Sequence, residues 1–366
     1  MRTHSTTKLS MRNFLIAFAC ATAFAQSNPP TFTNPLLPSG PDPWVTYRDG
    51  YYYYMHTTGV NLTLWKTRNI ADLSTTAGKV VWTPPADGPY SRDIWAPEIH
   101  FLQGRWYIYF SADGGVNQTH RVWVIENSSP DPTAGEWIMK GKIADADDRW
   151  GIDGTVFENQ GHLYFLCSGW EGDFNGVQSI YIMELDNPYT AKSKRVRLSV
   201  PSYPWEKIGD RESGSIGEDN PGLHPDDPLH IDVNEGPEML QHNGKLFLIY
   251  SASACWSDHY TLGMMTTTAD RDLMNAASWS KSTIPVFWES PSAGAYATGH
   301  NGFFQSPDGT EDWIIYHANS QPHQGCSGQR NPRAQRFYWK ADGTPDFGRP
   351  APIGQPLARP SEAAFQ

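Results

Sequence analysis

Five runs of β-forming residues recur along this chain, each entered through a turn, and they restrict its fold more than any other feature. Four of them are Gly50-Tyr51-Tyr52-Tyr53-Tyr54, Gly104-Arg105-Trp106-Tyr107-Ile108-Tyr109, Gly161-His162-Leu163-Tyr164-Phe165 and Gly244-Lys245-Leu246-Phe247-Leu248-Ile249-Tyr250. The fifth, Asp312-Trp313-Ile314-Ile315-Tyr316, comes after the turn Pro307-Asp308-Gly309. Aromatic and β-branched residues directly after a turn residue read as the second strand of a hairpin. The first four glycines stand 54, 57 and 83 residues apart. That is longer than the ~40–45 residues of a WD40 repeat and suits units with long loops. The pattern predicts an all-β chain folded as a five-bladed β-propeller. With 13% aromatic residues, 32 Gly and 29 Pro, the composition favours short strands and many turns over disorder or a helical bundle.

In a propeller the first strand of every blade lines a central channel, and all five run the same way. Residues at the same end of those strands therefore meet at one mouth of the channel. Asp42 lies eight residues before Gly50, Ala96 eight before Gly104 and Asp153 eight before Gly161, while Glu235 lies nine before Gly244. His300 opens the corresponding strand of the fifth unit. Asp42, Asp153 and Glu235 are thus expected to converge, the alternative being unrelated turn and edge carboxylates. Two carboxyl groups about 6.5–9.5 Å apart suit hydrolysis of a glycosidic bond with inversion, and about 5–5.5 Å suits retention. A third acid nearby raises the pKa of its neighbours by like-charge repulsion. Metal binding is the competing use of such a cluster, although no D-x-D-x-D-G loop is present.

Pro41-Asp42-Pro43-Trp44, Trp95-Ala96-Pro97-Glu98, Ile152-Asp153-Gly154, Asn234-Glu235-Gly236-Pro237 and Gly299-His300-Asn301, one per predicted blade, together resemble glycoside hydrolase family 43. The resemblance runs over about residues 32–350. It implies a propeller of inverting enzymes acting on arabinofuranosides and xylosides, with Asp42 as general base and Glu235 as general acid. Asp153 would tune and orient the acid. The resemblance also implies that His300 helps hold a calcium ion at the channel centre, that no other cofactor is required, and that Arg333 contacts the sugar. Ser91 to His100 and Ala341-Asp342-Gly343-Thr344-Pro345 look most like exo-acting α-L-arabinofuranosidases of α-1,5-linked arabinan. A β-xylosidase or an endo-arabinanase on the same scaffold, or a non-catalytic sugar-binding propeller, are the rival readings.

Trp44, Trp95, Trp170 and Trp256 stack on sugar or pack between blades. Trp95, Ala96, His300, Arg333 and Trp44 make up the expected substrate contacts. Glu98 and Glu238 are expected to lie behind the site or face solvent, and the strand-poor stretch 209–232 to wall the pocket or form a disordered insertion.

Arg2, Lys8 and Arg12, the apolar run Phe14 to Ala21 and Ala23-Phe24-Ala25 read as a secretory leader over 1–25, which leaves a single domain over 26–366. The apolar run is shorter than the ~20 residues a membrane span needs. Without the leader, 25 basic residues face 39 acidic ones, a balance of −14, which disfavours nucleic acid and anionic lipid as partners. A secreted monomer acting on a neutral polysaccharide is expected. The sequons at Asn61, Asn117 and Asn127 are candidate glycosylation sites. Three cysteines follow the leader. Cys255 and Cys326 lie in turn-like surroundings and are the expected disulfide, with no bridge as the alternative, and Cys167 is an expected buried thiol.

Overall fold

A computed structural model describes residues 1, 2, 4, 30–211 and 228–362. The expected leader, apart from residues 1, 2 and 4, and most of the stretch 209–232 lie outside the described residues.

The recurring glycines do make hairpins. Asp49-Gly50, Gln103-Gly104, Gln160-Gly161 and Asn243-Gly244 are two-residue loops, flanked by the pairs Arg48 with Tyr51, Leu102 with Arg105, Asn159 with His162, and His242 with Lys245. The first loop residue has φ of 49–51° and the glycine 75–81°. Positive φ at both positions defines the type I′ turn, whose twist matches that of the flanking strands. Glycine stands where a side chain would be most strained.

The described residues are all-β apart from five short 3₁₀ turns. Three sheets are four-stranded antiparallel meanders, beginning with the strands Trp44–Arg48, Arg92–Leu102 and Tyr296–Gln305. A nine-stranded sheet contains two further antiparallel sets, beginning with Gly151–Asn159 and Asp232–His242. A short parallel pairing of Val177 and Gln178 with Asp232 and Val233 joins them. The five opening strands touch in sequence, and the last touches the first.

The core repeats that order. Tyr53, Met55 and Leu64 of the first set pack on Ile99, Trp106 and Ile108 of the second. Tyr109 and Val124 pack on Phe165 and Met183, and Leu166 and Ile182 on Leu248 and Tyr250. Phe247 and Leu262 meet Ile314 and Tyr316. Phe304 and Ile315 of the last set then return to Val45 and Tyr52 of the first. Apolar burial between neighbouring sheets, the main favourable contribution to folding, thus runs round a closed circuit. Thr31–Phe32 pairs with Leu357–Ala358, bringing the two ends of the described chain side by side.

Cys255 and Cys326 form a disulfide. It ties the segment after Lys245–Ala252 to the one after Asp312–Asn319. Cys167 is free and buried, and burial pushes its thiol up to about 12. The bridge spans 71 residues of chain. Closing a loop of that size stabilises by about 4 kcal/mol in the chain-entropy account. Replacing both cysteines by serine should lower the free energy of denaturant unfolding by an amount of that order, read from the urea midpoint, and an unchanged midpoint would contradict it.

Candidate active site

Each opening strand carries a break in its regular backbone near its start. Asp42, Ala96, Asp153, Gly236 and His300 have φ of 54, 43, 55, 53 and 47°. A left-handed residue costs a non-glycine about 1–2 kcal/mol, and Asp tolerates it better than Ala or His. The pairing register slips at Ile152 to Thr155, Glu235 to Glu238, Trp95 to Glu98 and Gly299 to Gly302, the mark of a β-bulge, which re-aims side chains.

The bulges also turn backbone N–H groups out of their own sheet, and each finds a partner elsewhere. Asp42 donates to His317 Nδ1 at 3.0 Å, Ala96 to Thr57 Oγ1 at 2.7 Å, Asp153 to Ser111 Oγ at 2.9 Å and His300 to Ser251 Oγ at 2.7 Å. Each acceptor stands at or just beyond the end of the second strand of the preceding set. The fourth set differs: Gly236 donates to Asp153 Oδ2 at 3.0 Å, while the equivalent Ser168 hydroxyl donates to Asn234 O at 2.9 Å. Gly236 therefore holds the repeated position, and Glu235 stands one residue before it. This accounts for its nine-residue offset.

Asp42, Asp153, Glu235, His300, Trp95 and Arg330 line one pocket. Trp150, Trp256 and the disulfide extend its wall. Trp95 stacks on His120 at 4.1 Å, and Trp150 on Trp170 at 4.3 Å.

The surroundings push two carboxyls of this pocket in opposite directions. Burial would raise Asp42, but Arg330, His300, His317 and the Thr57 hydroxyl together hold it well below the usual carboxylate range. Arg330 Nη1 lies 3.0 Å from Asp42 Oδ1, and Thr57 Oγ1 donates to Oδ2 at 2.6 Å. Burial lowers both His300 and His317, with Arg330 adding to the effect. Glu235 is pushed up to about 7, first by burial and then by the charge of Asp42, against a hydrogen bond from Tyr260. Asp153 is raised well above its ordinary value by burial, Glu235 and Asp42. The Asp153–Glu235 pair thus retains a proton at neutral pH while Asp42 is ionised.

Several expected contacts take other places. Arg333 is 0% exposed and points into its own sheet, where Nε donates to Asn331 Oδ1 at 2.9 Å. It does not line the pocket; Arg330, three residues earlier and ahead of the strand, does. Trp44 donates its indole N–H to Ile99 O at 3.0 Å and packs on His100, which places it between two sheets. Trp170 is buried behind Trp150. Ala96 contributes its backbone rather than a pocket surface. Glu98 and Glu238 are both buried, not solvent-facing: His100 Nε2 lies 2.9 Å from Glu98 Oε2, and burial and Glu98 raise Glu238.

Two sequons are buried. Asn117 is 5% exposed and lines the pocket, and Asn127 is 1% exposed, with its side chain bonded to Ala134 O and Ser129 N. Neither position has room for a glycan. Asn61 is half-buried and accepts from Thr63 Oγ1.

Calcium takes six to eight oxygen ligands. The carboxylate nearest His300 is Asp42, 3.3 Å away and already bound by Arg330. Among the described residues no group of three or more His, Cys, Asp or Glu is arranged to hold a metal ion. Direct oxygen ligands for calcium are therefore not gathered at His300 among the described residues.

Arg330, Tyr260, Thr57 and His317 were not anticipated. A signal for Thr57 exists, since Thr57, Ser111, Ser168 and Ser251 each stand seven residues after a turn glycine. Arg330 lies 288 residues from Asp42, in a loop with no repeat to mark it.

Residues 32–345 match the family described as Glycosyl hydrolases family 43. A protein from Streptomyces avermitilis described as an extracellular exo-alpha-(1->5)-L-arabinofuranosidase is 37% identical over 88% of this chain, and the chain spans 64% of that relative's length. A protein of the same description from Streptomyces chartreusis is 34% identical over 87% of this chain and 94% of its own. The crystal structure of an alpha-L-arabinofuranosidase from Lactobacillus brevis superposes with a TM-score of 0.77 at 34% identity, covering 88% of this chain and 98% of that one.

Replacing Arg330 by Ala should move the acidic limb of activity upward, toward the ordinary carboxylate range, because Asp42 loses its nearest cation. Arg333→Ala should lower the melting temperature and leave that limb in place. Paired pH–rate profiles and melting curves check this, and a limb that moves only with Arg333 would reverse the assignment.

Proposed function

The chain belongs to glycosyl hydrolase family 43, and from that premise we propose that it is a secreted, inverting exo-α-L-arabinofuranosidase acting on the ends of α-1,5-linked arabinan or arabino-oligosaccharides. The observation that carries this reading is the convergence of Asp42 and Glu235 on one pocket, the first bound by Arg330 and Thr57 and the second by Tyr260. Asp42, ionised, takes a proton from water as that water attacks the anomeric carbon. Glu235, protonated near neutrality, gives its proton to the glycosidic oxygen as the carbon–oxygen bond breaks. A pair of carboxyls in these roles inverts the anomeric centre. Asp153 orients the acid through the Gly236 N–H and shares its proton load. Trp95, Trp150 and Trp256 offer apolar faces to a furanose ring, and Arg330 and His300 flank the base.

The closed circuit of five opening strands and five inter-sheet cores supports a five-bladed propeller. The extracellular description of the two Streptomyces relatives supports secretion, and the leader pattern over 1–25 agrees with it. A monomeric single domain over 26–366 completes the reading. No described helix is long and apolar enough to cross a membrane.

Incubation with 4-nitrophenyl α-L-arabinofuranoside, 4-nitrophenyl β-D-xyloside, linear arabinan and arabinoxylan tests the assignment. Arabinose as the first product from arabinan supports exo action; mixed oligomers would favour an endo-arabinanase, and xylose release a xylosidase. Activity kcat/KM should fall as pH rises through about 7, where Glu235 loses its proton, and its acidic limb should lie below the ordinary carboxylate range. Glu235→Gln should cost roughly 10²–10⁴-fold on arabinan and much less on an aryl glycoside with a good leaving group. Asp42→Asn should depress every substrate alike, since each needs the water.

A further inference from the structure

Tyr260 is 1% exposed, and its hydroxyl donates to Glu235 Oε1 at 2.9 Å. Its ring lies parallel to His317 at 5.6 Å, tilted by 7°, and so stacks on the imidazole that accepts from the Asp42 backbone. The ring fits only because position 299 is glycine: a Cβ there would come within 2.2 Å of Tyr260 Cε1. The phenol is pushed well above its ordinary value by burial and by Glu235, so it stays a donor.

A protonated phenol can give its hydrogen to only one acceptor, and here that acceptor is Glu235 Oε1. The neighbouring Ser251 hydroxyl is fully buried and accepts from the His300 N–H at 2.7 Å.

We infer that Tyr260 is a positioning residue that gives the two oxygens of Glu235 different tasks: Oε1 is kept as an acceptor, and Oε2 carries the proton that reaches the leaving group. This rests on Glu235 being the general acid. When the glycosidic bond breaks, its electron pair goes to the leaving oxygen, which takes the proton from Oε2. Water bonds to the anomeric carbon and yields a proton to Asp42. Glu235 is left as a carboxylate, and the Tyr260 hydroxyl stabilises the charge that has just formed. The groups that face Glu235 are Asp42 and Asp153, which favour its neutral form, and Arg330 and Tyr260, which favour its ionised form. Of these, Tyr260 makes a direct hydrogen bond to its carboxyl.

The test compares wild type with Tyr260→Phe and Glu235→Gln. Removing the tyrosine donor should move the basic limb of kcat/KM upward from about 7 by on the order of one unit, since a hydrogen bond to the charged form favours ionisation. It should lower kcat on linear arabinan about tenfold, with a smaller loss on an activated aryl arabinofuranoside, because a weaker acid serves poor leaving groups worst. Infrared difference spectra across the titration, with the carboxyl band assigned by its loss in Glu235→Gln, read the same shift in each folded variant without relying on turnover. If Glu235→Gln is inactive on arabinan while Tyr260→Phe titrates like wild type, the inference falls and the acid assignment stands. If Glu235→Gln keeps full activity on arabinan, both fall.

Discussion

Everything at the pocket depends on the satisfaction of five backbone N–H groups that the opening strands turn out of their own sheets. Each comes from a left-handed residue, and four of the five residues are not glycine. Such a conformation persists only where its surroundings pay it back. Here the repayment comes from the neighbouring set, through His317, Thr57, Ser111, Asp153 and Ser251. One row of contacts therefore links each sheet to the next and aims Asp42, Asp153 and His300 inward. Three of the acceptors are hydroxyls and one is the His317 imidazole, all on second strands or just beyond; at the fourth set the acceptor is instead a carboxylate on an opening strand. That substitution places Asp153 against the residue after Glu235, so the departure from the repeat coincides with the chemistry.

The same contacts set the charges. Asp42 is buried and Glu235 half-buried, and the loss of water around them would by itself raise both carboxyls. Arg330 and Thr57 bind Asp42 directly, and with His300 and His317 they favour its ionised form, whereas Glu235 is raised. His300 and His317, lowered by burial and by Arg330, add polar contacts without adding a fixed positive charge. The proposed catalytic pair is thus produced by unequal hydrogen bonding within one low-dielectric pocket, on a scaffold that treats the five strands nearly alike.

Much of this was legible in the sequence. Type I′ loops require residues that accept positive φ, so Gly50, Gly104, Gly161 and Gly244 marked the hairpins, and counting back eight residues reached Asp42 and Asp153. The nine-residue count to Glu235 was legible as an irregularity, and its cause, Gly236 in the repeated position, needed the backbone. Counting forward seven residues to Thr57, Ser111, Ser168 and Ser251 would have found the acceptors. Arg330 was illegible because a loop residue follows no strand period, and the resemblance pointed instead to Arg333, three residues on and inside the strand. Asn117 and Asn127 matched a glycosylation pattern that carries no information on burial, and for Glu98 and Glu238 the sequence left open two places, of which the structure shows the one behind the site.

The central claim is that Asp42 and Glu235 work as base and acid on a single displacement at the anomeric carbon. Proton NMR of the first sugar released from an α-linked arabinofuranoside, recorded before mutarotation, tests it most directly. The account predicts β-arabinofuranose as the initial product. Initial appearance of the α anomer, or a covalent glycosyl-enzyme on Asp42, would contradict it.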